Sequence, residues 1–554
     1  MIDVKKLAGL GFLALSIAPH VIAQTASPIS ISRIREDVRV LSSDDFEGRG
    51  PGQAGEGKTL EYLVAQFQAA GLQPGGPNGS WFQDVPLTEF DREPPVRMRL
   101  KLEGASAQNL VVGRDVTASS HAAGRNRLVD APIVFVGYGV NVPDIGWNSF
   151  AGADLHGKVA LILANDPDFE AAPDSPAFGK FGGKAMVYAG RFGAKVAAAS
   201  AAGAAAVLVI HEAAAASYPW RQVANGDRIA GMEIMQANAT GSSPAISGWL
   251  QQEAAVRLLR SAGLDLARLK VAARDPAFAP LTIRGAFLSV DFMVSAHAVV
   301  SHNVVARLPG RTRPDEVVLY GAHWDANGKG APDRQGDDIR NGAVDNATGT
   351  AEMLEVARAF AKGAQPIRSI VFIAFAAEEK GLLGSEYYAS HPIYPLERTA
   401  AVINLDPHIM LGRARDVELV GGGRTDLEED LARAASAAGL RMEAEPHPEA
   451  GWYFRSDHYS FAKRGVPSVS FRIGRDLVDG GLTVGTARAE EYNVVRYHQP
   501  GDEFDPNWTF EGSAQEATVA WLLGVDVANS PRWPAWKAGV DYSAVRARSG
   551  MERR

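Results

Sequence analysis

Cysteine is absent from the 554 residues. That excludes disulfides, thiolate metal sites and cysteine nucleophiles, so stability must come from core burial and bound metal. A zinc site in this chain could be built only from His, Asp and Glu. An excess of positive charge is also missing. The formal net charge of −8 gives no reason to expect nucleic acid or an anionic membrane surface as partner. Beyond the N-terminus no apolar run is long enough to span a bilayer. Residues 196–210 are apolar but Ala-rich and bounded by Lys195 and His211, which reads as a core helix running into a strand. No internal repeat is visible.

What is present suggests about two to four folding units for this length. Lys5 and Lys6 precede an apolar stretch, residues 7–18, and Val21-Ile22-Ala23 stands before Gln24. This is the layout of a signal peptide over residues 1–23, cleaved after Ala23, with export to periplasm or medium and no membrane insertion afterwards. Residues 31–87 read as helical around a glycine-rich loop at 48–57, with Ile31, Ile34, Val38 and Leu41, then Leu60, Leu63, Val64 and Phe67, at helical spacing. Residues 24–109 are taken as the N-terminal part of a catalytic domain. Residues 110–285 contain short β-type runs such as Ile133-Val134-Phe135-Val136 and Val159-Ala160-Leu161-Ile162-Leu163. With no metal-type constellation, this stretch reads as an inserted β-rich accessory domain. From 286 to 540 strands alternate with helices, which predicts an α/β fold with a mixed, mostly parallel sheet flanked by helices. Residues 541–554 read as a polar tail, frayed from Arg546 onward.

The chemistry concentrates in the C-terminal half, at His323-Trp324-Asp325, Asp345-Asn346, Glu378-Glu379, Asp406 and His498. Three of these follow short apolar runs: Val317-Val318-Leu319, Ile370-Val371-Phe372-Ile373 and Val402-Ile403. Parallel strands deliver such side chains to one crevice at their carboxyl ends. His323 and Asp325 share one side of an extended chain, so one can bind metal while the other fixes the imidazole. A capping aspartate beside a surface histidine would look the same. Asp345 precedes a helix striped by Met353, Leu354, Ala357 and Phe360-Ala361, with Glu352, Glu355, Arg358 and Lys362 on its other faces. The bland role there is an N-cap through Asn346 or Asp345 itself. Glu378-Glu379 sits at the end of an apolar strand, where burying two charges without partners is costly and metal ions would resolve the cost. The alternative is a solvated strand end. Asp406 and His498 are each ambiguous alone. Taken together, two histidines and three carboxylates suit a pair of zinc ions sharing one carboxylate.

These segments resemble the co-catalytic zinc peptidase family of bacterial aminopeptidases and glutamate carboxypeptidases. The resemblance is carried by Gly321-Ala322-His323-Trp324-Asp325, Asn341-Gly342-Ala343-Val344-Asp345-Asn346-Ala347-Thr348-Gly349 and Ala376-Ala377-Glu378-Glu379-Lys380-Gly381. It continues through Asn404-Leu405-Asp406, Arg455-Ser456-Asp457-His458 and Tyr497-His498-Gln499-Pro500-Gly501-Asp502. Leu41-Ser42-Ser43-Asp44-Asp45-Phe46-Glu47-Gly48-Arg49-Gly50 is similar to the start of exported members, and Gly203-Ala204-Ala205-Ala206-Val207 resembles a protease-associated domain. The resemblance implies a zinc exopeptidase fold with two Zn2+ ions. Asp345 would bridge them, His323 and Asp406 would complete one site, and Glu379 and His498 the other. It further implies Glu378 as general base, Asp325 as the residue orienting His323, and Tyr497 as hydrogen-bond donor to the tetrahedral oxyanion.

One departure is Pro407-His408, where the family continues with an apolar residue. His408 is expected to line the pocket or the surface, since the ligand set is complete without it, and Pro407 to fix the exit from the strand. Gly421-Gly422-Gly423 reads as a turn before a helix at 427–438, and His447 and His458 as structural. Trp452, Tyr453, Phe454 and Arg455 could line a substrate pocket. The leading expectation is an exported exopeptidase acting on peptides as an aminopeptidase. A carboxypeptidase or dipeptidase would need a basic cluster for the substrate carboxylate, for which Arg424, Arg455 and Arg472 are candidates. A glutaminyl-cyclase-type acyltransferase and a non-catalytic binding protein are the remaining classes.

Overall fold

Runs of buried β-branched and aromatic residues with no polar alternation make the central strands, the pattern of a sheet covered on both faces. The computed structural model describes residues 28–103, 107–227, 229–235, 246–407, 409–410, 412–540 and 542–549. The expected signal peptide and His408 lie outside the described residues. In chain order the principal elements are α1 (Ile31–Leu41), α2 (Ala54–Ala69), β1 (Phe82–Leu102), β2 (Gly124–Phe135), β3 (Val159–Leu163) and α3 (Phe192–Ala201). Next come β4 (Ala206–His211), β5 (Ile246–Gln251), β6 (Leu281–Leu308), β7 (Arg313–His323), α4 (Gly349–Lys362), β8 (Arg368–Phe375) and β9 (Thr399–Asn404). The chain continues through β10 (Asp416–Leu419), α5 (Leu427–Ala437), β11 (Arg441–Ala444), β12 (Ser468–Ile473), α6 (Gly481–Val495) and α7 (Glu511–Asn529).

One sheet orders these strands β5-β4-β3-β2-β6-β8-β7-β9-β12-β10-β11. The pairs β8–β7, β7–β9 and β9–β12 are parallel, as are β5–β4, β4–β3 and β3–β2. Helices flank the sheet, so the architecture is α/β and mostly parallel. The carboxyl ends of β7, β8 and β9 are level, with His323 opposite Phe375 and Gly321 opposite Asn404.

The long strands β1 and β6 form an antiparallel ribbon that belongs to two cores. Val85, Leu87, Val304 and Ala306 pack with β7 to β9, α4 and α7, whereas Met98, Leu100, Leu102 and Val290 pack with β2 to β5. The passage between cores therefore falls inside two strands, where no composition change could mark it. The helical reading of residues 31–87 holds for α1 and α2 but fails at Phe82, where β1 begins. Alternating burial along its first residues, with Val85 and Leu87 inward, selects a strand there.

α4 also departs from expectation. Its non-apolar faces are buried: Glu355 is held by Arg33 and Arg358, and Glu352 is wholly covered. At the other end of the chain, Arg546 is not frayed. It lies in a short helix, Tyr542–Ala547, and donates to the carbonyls of Leu396 and Thr399 at 2.8 and 2.7 Å. Among the described residues no helix is long and apolar enough to cross a membrane.

Candidate metal centre

The carboxyl ends of the three central strands supply the site. His323 is the last residue of β7, Asp406 follows β9 by two residues, and Glu378 and Glu379 lie just past β8. Asp345 comes from the turn before α4 and His498 from the loop after α6. Asp345 stands between the two histidines. One of its oxygens is 3.2 Å from His323 Nε2 and the other 3.2 Å from His498 Nε2. Asp406 is 3.5 Å from His323 Nε2, and Glu379 is 3.1 Å from His498 Nε2. Two three-residue groups result, His323-Asp345-Asp406 and Asp345-Glu379-His498, each with ligand atoms within 4.8 Å of one another. Imidazole nitrogens and carboxylate oxygens in this number are donors that zinc accepts, so the residues fit a pair of such ions. His447 and His458 are not in these groups: His447 pairs with Glu449, and His458 is buried against the Tyr453 ring.

Burial and mutual charge shift the protonation of these donors in the bare protein. Burial pulls His498 down, but Glu379 and Asp345 outweigh it and hold it up at about 10. His323 is raised in the same way, with Glu378 the strongest opponent of burial. Asp345 is driven below the usual carboxylate range by both histidines, against its own burial. Burial pushes Glu378 well above that range, and Asp406, Asp457 and Glu379 add to it. Burial likewise raises Asp325 and Asp502 to about 7. Protons on the histidines thus offset the buried carboxylates in the bare protein.

The surrounding residues hold the ligands by backbone. His323 Nδ1 lies 3.0 Å from the carbonyl of Asp325 and 3.7 Å from its carboxylate. The Asp325 carboxylate instead accepts the amides of Glu378 at 3.0 Å and Glu379 at 3.3 Å. Asn346 takes the capping role, accepting the Gly349 amide at 2.9 Å, which leaves Asp345 to face the histidines. Asp502 accepts the amides of Val344 and Asp345, each at 3.1 Å, and the Tyr492 hydroxyl at 3.1 Å. Arg49 is fully buried and donates to the carbonyls of Leu41, Trp324, Asn341 and Gly342. Burial lowers it to about 10, while Asp325, Asp502, Asp345 and Glu379 draw it up. Neither Arg49 nor Asp502 could be assigned a role from sequence, because their partners lie far along the chain.

Two cavities meet at the centre. One of 350 Å³ is lined by Glu378, Asp406, Tyr188, Arg191, Phe454 and Arg455. The other, of 450 Å³, is lined by Trp249, Phe192, Tyr218, Met232 and Lys380. Glu379, Arg455, Tyr497 and His498 line both. Of the expected basic cluster only Arg455 is here. Arg424 lies over the Tyr453 ring at 4.1 Å, and Arg472 pairs with Glu418 at 3.1 Å. Segments of the middle core form one wall and bond to the other side: Asn165 Nδ2 donates to the Glu449 carbonyl at 3.1 Å, and Gln222 Nε2 to that of Asn493 at 2.6 Å.

Residues 303–522 match the profile of peptidase family M28. A probable zinc metalloprotease of Pyrenophora teres f. teres (strain 0-1) is 45% identical over 209 residues, 36% of this chain and 39% of that protein. Aminopeptidase YwaD of Bacillus subtilis (strain 168) is 31% identical over 213 residues, 36% of this chain and 43% of that protein. The chain thus matches less than half the length of these curated relatives. An aminopeptidase from Aneurinibacillus sp. strain AM-1 shares the fold over 91% of this chain and 95% of its own, with 22% identity and a TM-score of 0.52.

Proposed function

We propose that this chain, which carries a peptidase family M28 domain over residues 303–522, is a zinc-dependent exopeptidase that removes residues from the amino end of peptides. The observation that carries the reading is Asp345, with one oxygen toward each histidine inside two adjacent ligand groups. In this reading His323, Asp345 and Asp406 would hold one zinc ion, and Asp345, Glu379 and His498 a second. Zinc bound there would supply Lewis-acid polarisation of a carbonyl and acidify water near neutral pH.

The chain's own residues do the rest. Glu378 takes a proton from the attacking water and passes it to the leaving amine, a task suited to a carboxyl whose pKa is raised. Tyr497, on both cavities, donates to the oxygen that gains charge, a contact worth roughly a few kcal/mol. Asp325 holds Glu378 and Glu379 through their amides. The middle segment, read as an inserted accessory domain, walls the cleft and restricts it to chain ends. The layout of residues 1–23 supports export.

The test compares wild type with Glu378→Gln on peptides with free and blocked amino termini, with zinc measured in both proteins. The expected result is cleavage that needs a free amine and falls by about 10²–10⁴-fold in the variant while zinc is retained. Equal cleavage of amino-blocked peptides would sink the aminopeptidase reading.

A further inference from the structure

Two arginines line the reaction cavity without an ion-pair partner among the described residues. Arg191 stands immediately before α3 in the middle segment, and Arg455 follows the turn Trp452–Phe454. Both line the 350 Å³ cavity together with Glu378 and Asp406. Among the described residues neither forms an ion pair, whereas Arg358 pairs with Asp37 at 2.6 Å, Arg368 with Glu316 at 2.7 Å and Arg92 with Asp227 at 2.8 Å; Arg49, also without an acid, is answered by four carbonyls. Withdrawing a guanidinium from water without an acid is costly. Burial lowers Arg191 to about 10, and the next influence is Arg455, which pushes the same way. After Arg455 the largest influences on Arg191 are the tyrosines Tyr218, Tyr497 and Tyr188, which draw it up.

The two side chains are held in place. The Arg455 guanidinium lies 4.6 Å from the Trp452 ring and 5.1 Å from that of Tyr218, and its Nη1 is buried with no hydrogen-bond partner. Arg191 sits at the end of a braced loop. Asp168 accepts the amides of Gly179, Phe181 and Gly183, and Asp166 accepts that of Val187. The Tyr188 ring then packs 5.2 Å from Tyr459 and 5.9 Å from Phe454. Two arginines are thereby brought from two parts of the chain onto one cavity, and planar donor forks so placed can recognise a carboxylate by paired hydrogen bonds.

We propose that Arg191 and Arg455 form a carboxylate-binding subsite, so that favoured substrates carry a carboxylate within one residue of the scissile bond. The proposal rests on the peptidase reading above for what is cleaved, but not for what is bound. The carboxylate can come from an acidic side chain on the amino-terminal residue or from the free carboxyl end of a dipeptide. The subsite gives the middle segment a share in specificity, because Arg191 belongs to it.

The experiment measures binding calorimetrically to the zinc-loaded, full-length Glu378→Gln variant, which holds peptides without turning them over. Glu-Phe-amide against Gln-Phe-amide reads the side-chain source, and Leu-Phe against Leu-Phe-amide the terminal one. In one pair the carboxylate form should bind roughly thirtyfold or more tightly. Adding Arg191→Gln should bring that ratio close to one, and Arg191→Lys should restore part of it. Equal binding within both pairs, or a ratio that survives Arg191→Gln, overturns the subsite, and the comparison of peptides on one protein stands even if the arginine variant fails to fold. Hydrolysis of the same peptides by wild type is read separately. A carboxylate preference in binding with no cleavage would sink the peptidase reading and leave the subsite standing.

Discussion

Arg49 concentrates a large share of the centre's backbone order in one side chain. Its guanidinium ties carbonyls beside His323 and Asp345 to the N-terminal segment, with no exposure to water. Replacing it by methionine keeps volume but strands four acceptors and removes a cation from among buried carboxylates. Arg49→Met should destabilise the protein by about 3 kcal/mol or more in urea unfolding, with Arg49→Lys recovering part. A difference under about 0.5 kcal/mol, the range of ordinary surface changes, would rule this role out. Glu378 and Asp406 were readable from sequence because each ends an apolar strand. Arg49 and Asp502 were not, since each acts on residues remote in sequence.

At the scale of elements, the strand and helix pattern was legible wherever burial is two-sided, as in β7, β8 and β9. It failed at the start of β1, residues 82–87, where Val85 and Leu87 alternate with Asp84 and Pro86 instead of forming an unbroken apolar run. The buried polar side of α4 was equally hidden, because Glu355 is neutralised by Arg33 on α1. The close packing of α4 on the end of β9 yields a second expectation. A methyl group on Gly349 would come within 2.3 Å of both Asn346 Oδ1 and the Leu405 carbonyl. Gly349→Ala should therefore lower stability by roughly 1–3 kcal/mol and weaken zinc binding, because Asp345 and Asp406 flank that contact. Thermal unfolding with a zinc titration checks both effects. Unchanged zinc affinity would show that the helix start does not set the ligand spacing.

For the whole molecule, the metal-free protein should show an inverted pH dependence. Asp325, Asp457 and Asp502 each titrate near 7 when folded, raised by burial, against about 4 in an unfolded chain. Each therefore favours the fold while protonated, and that contribution is lost as pH climbs from about 4 through about 7. Asp345, shifted downward, is ionised in both states across this window and adds no slope. The unfolding temperature of chelator-treated protein should fall between about pH 5 and about pH 8, and saturating zinc should remove most of the fall. A metal-free protein that is more stable at the higher pH would contradict the burial of these carboxyls.

The β1–β6 ribbon has a mechanical consequence. Its backbone ladder runs from Phe82 opposite Val304 to Leu102 opposite Ala286, with one register shift between Asp291 and Met293. The cleft wall hangs on this beam, whose ladder is interrupted once, where Pro94, Pro95 and Val96 have no partner on β6. Paired rungs on either side of that break resist bending, so any widening of the cleft concentrates at residues 93–97.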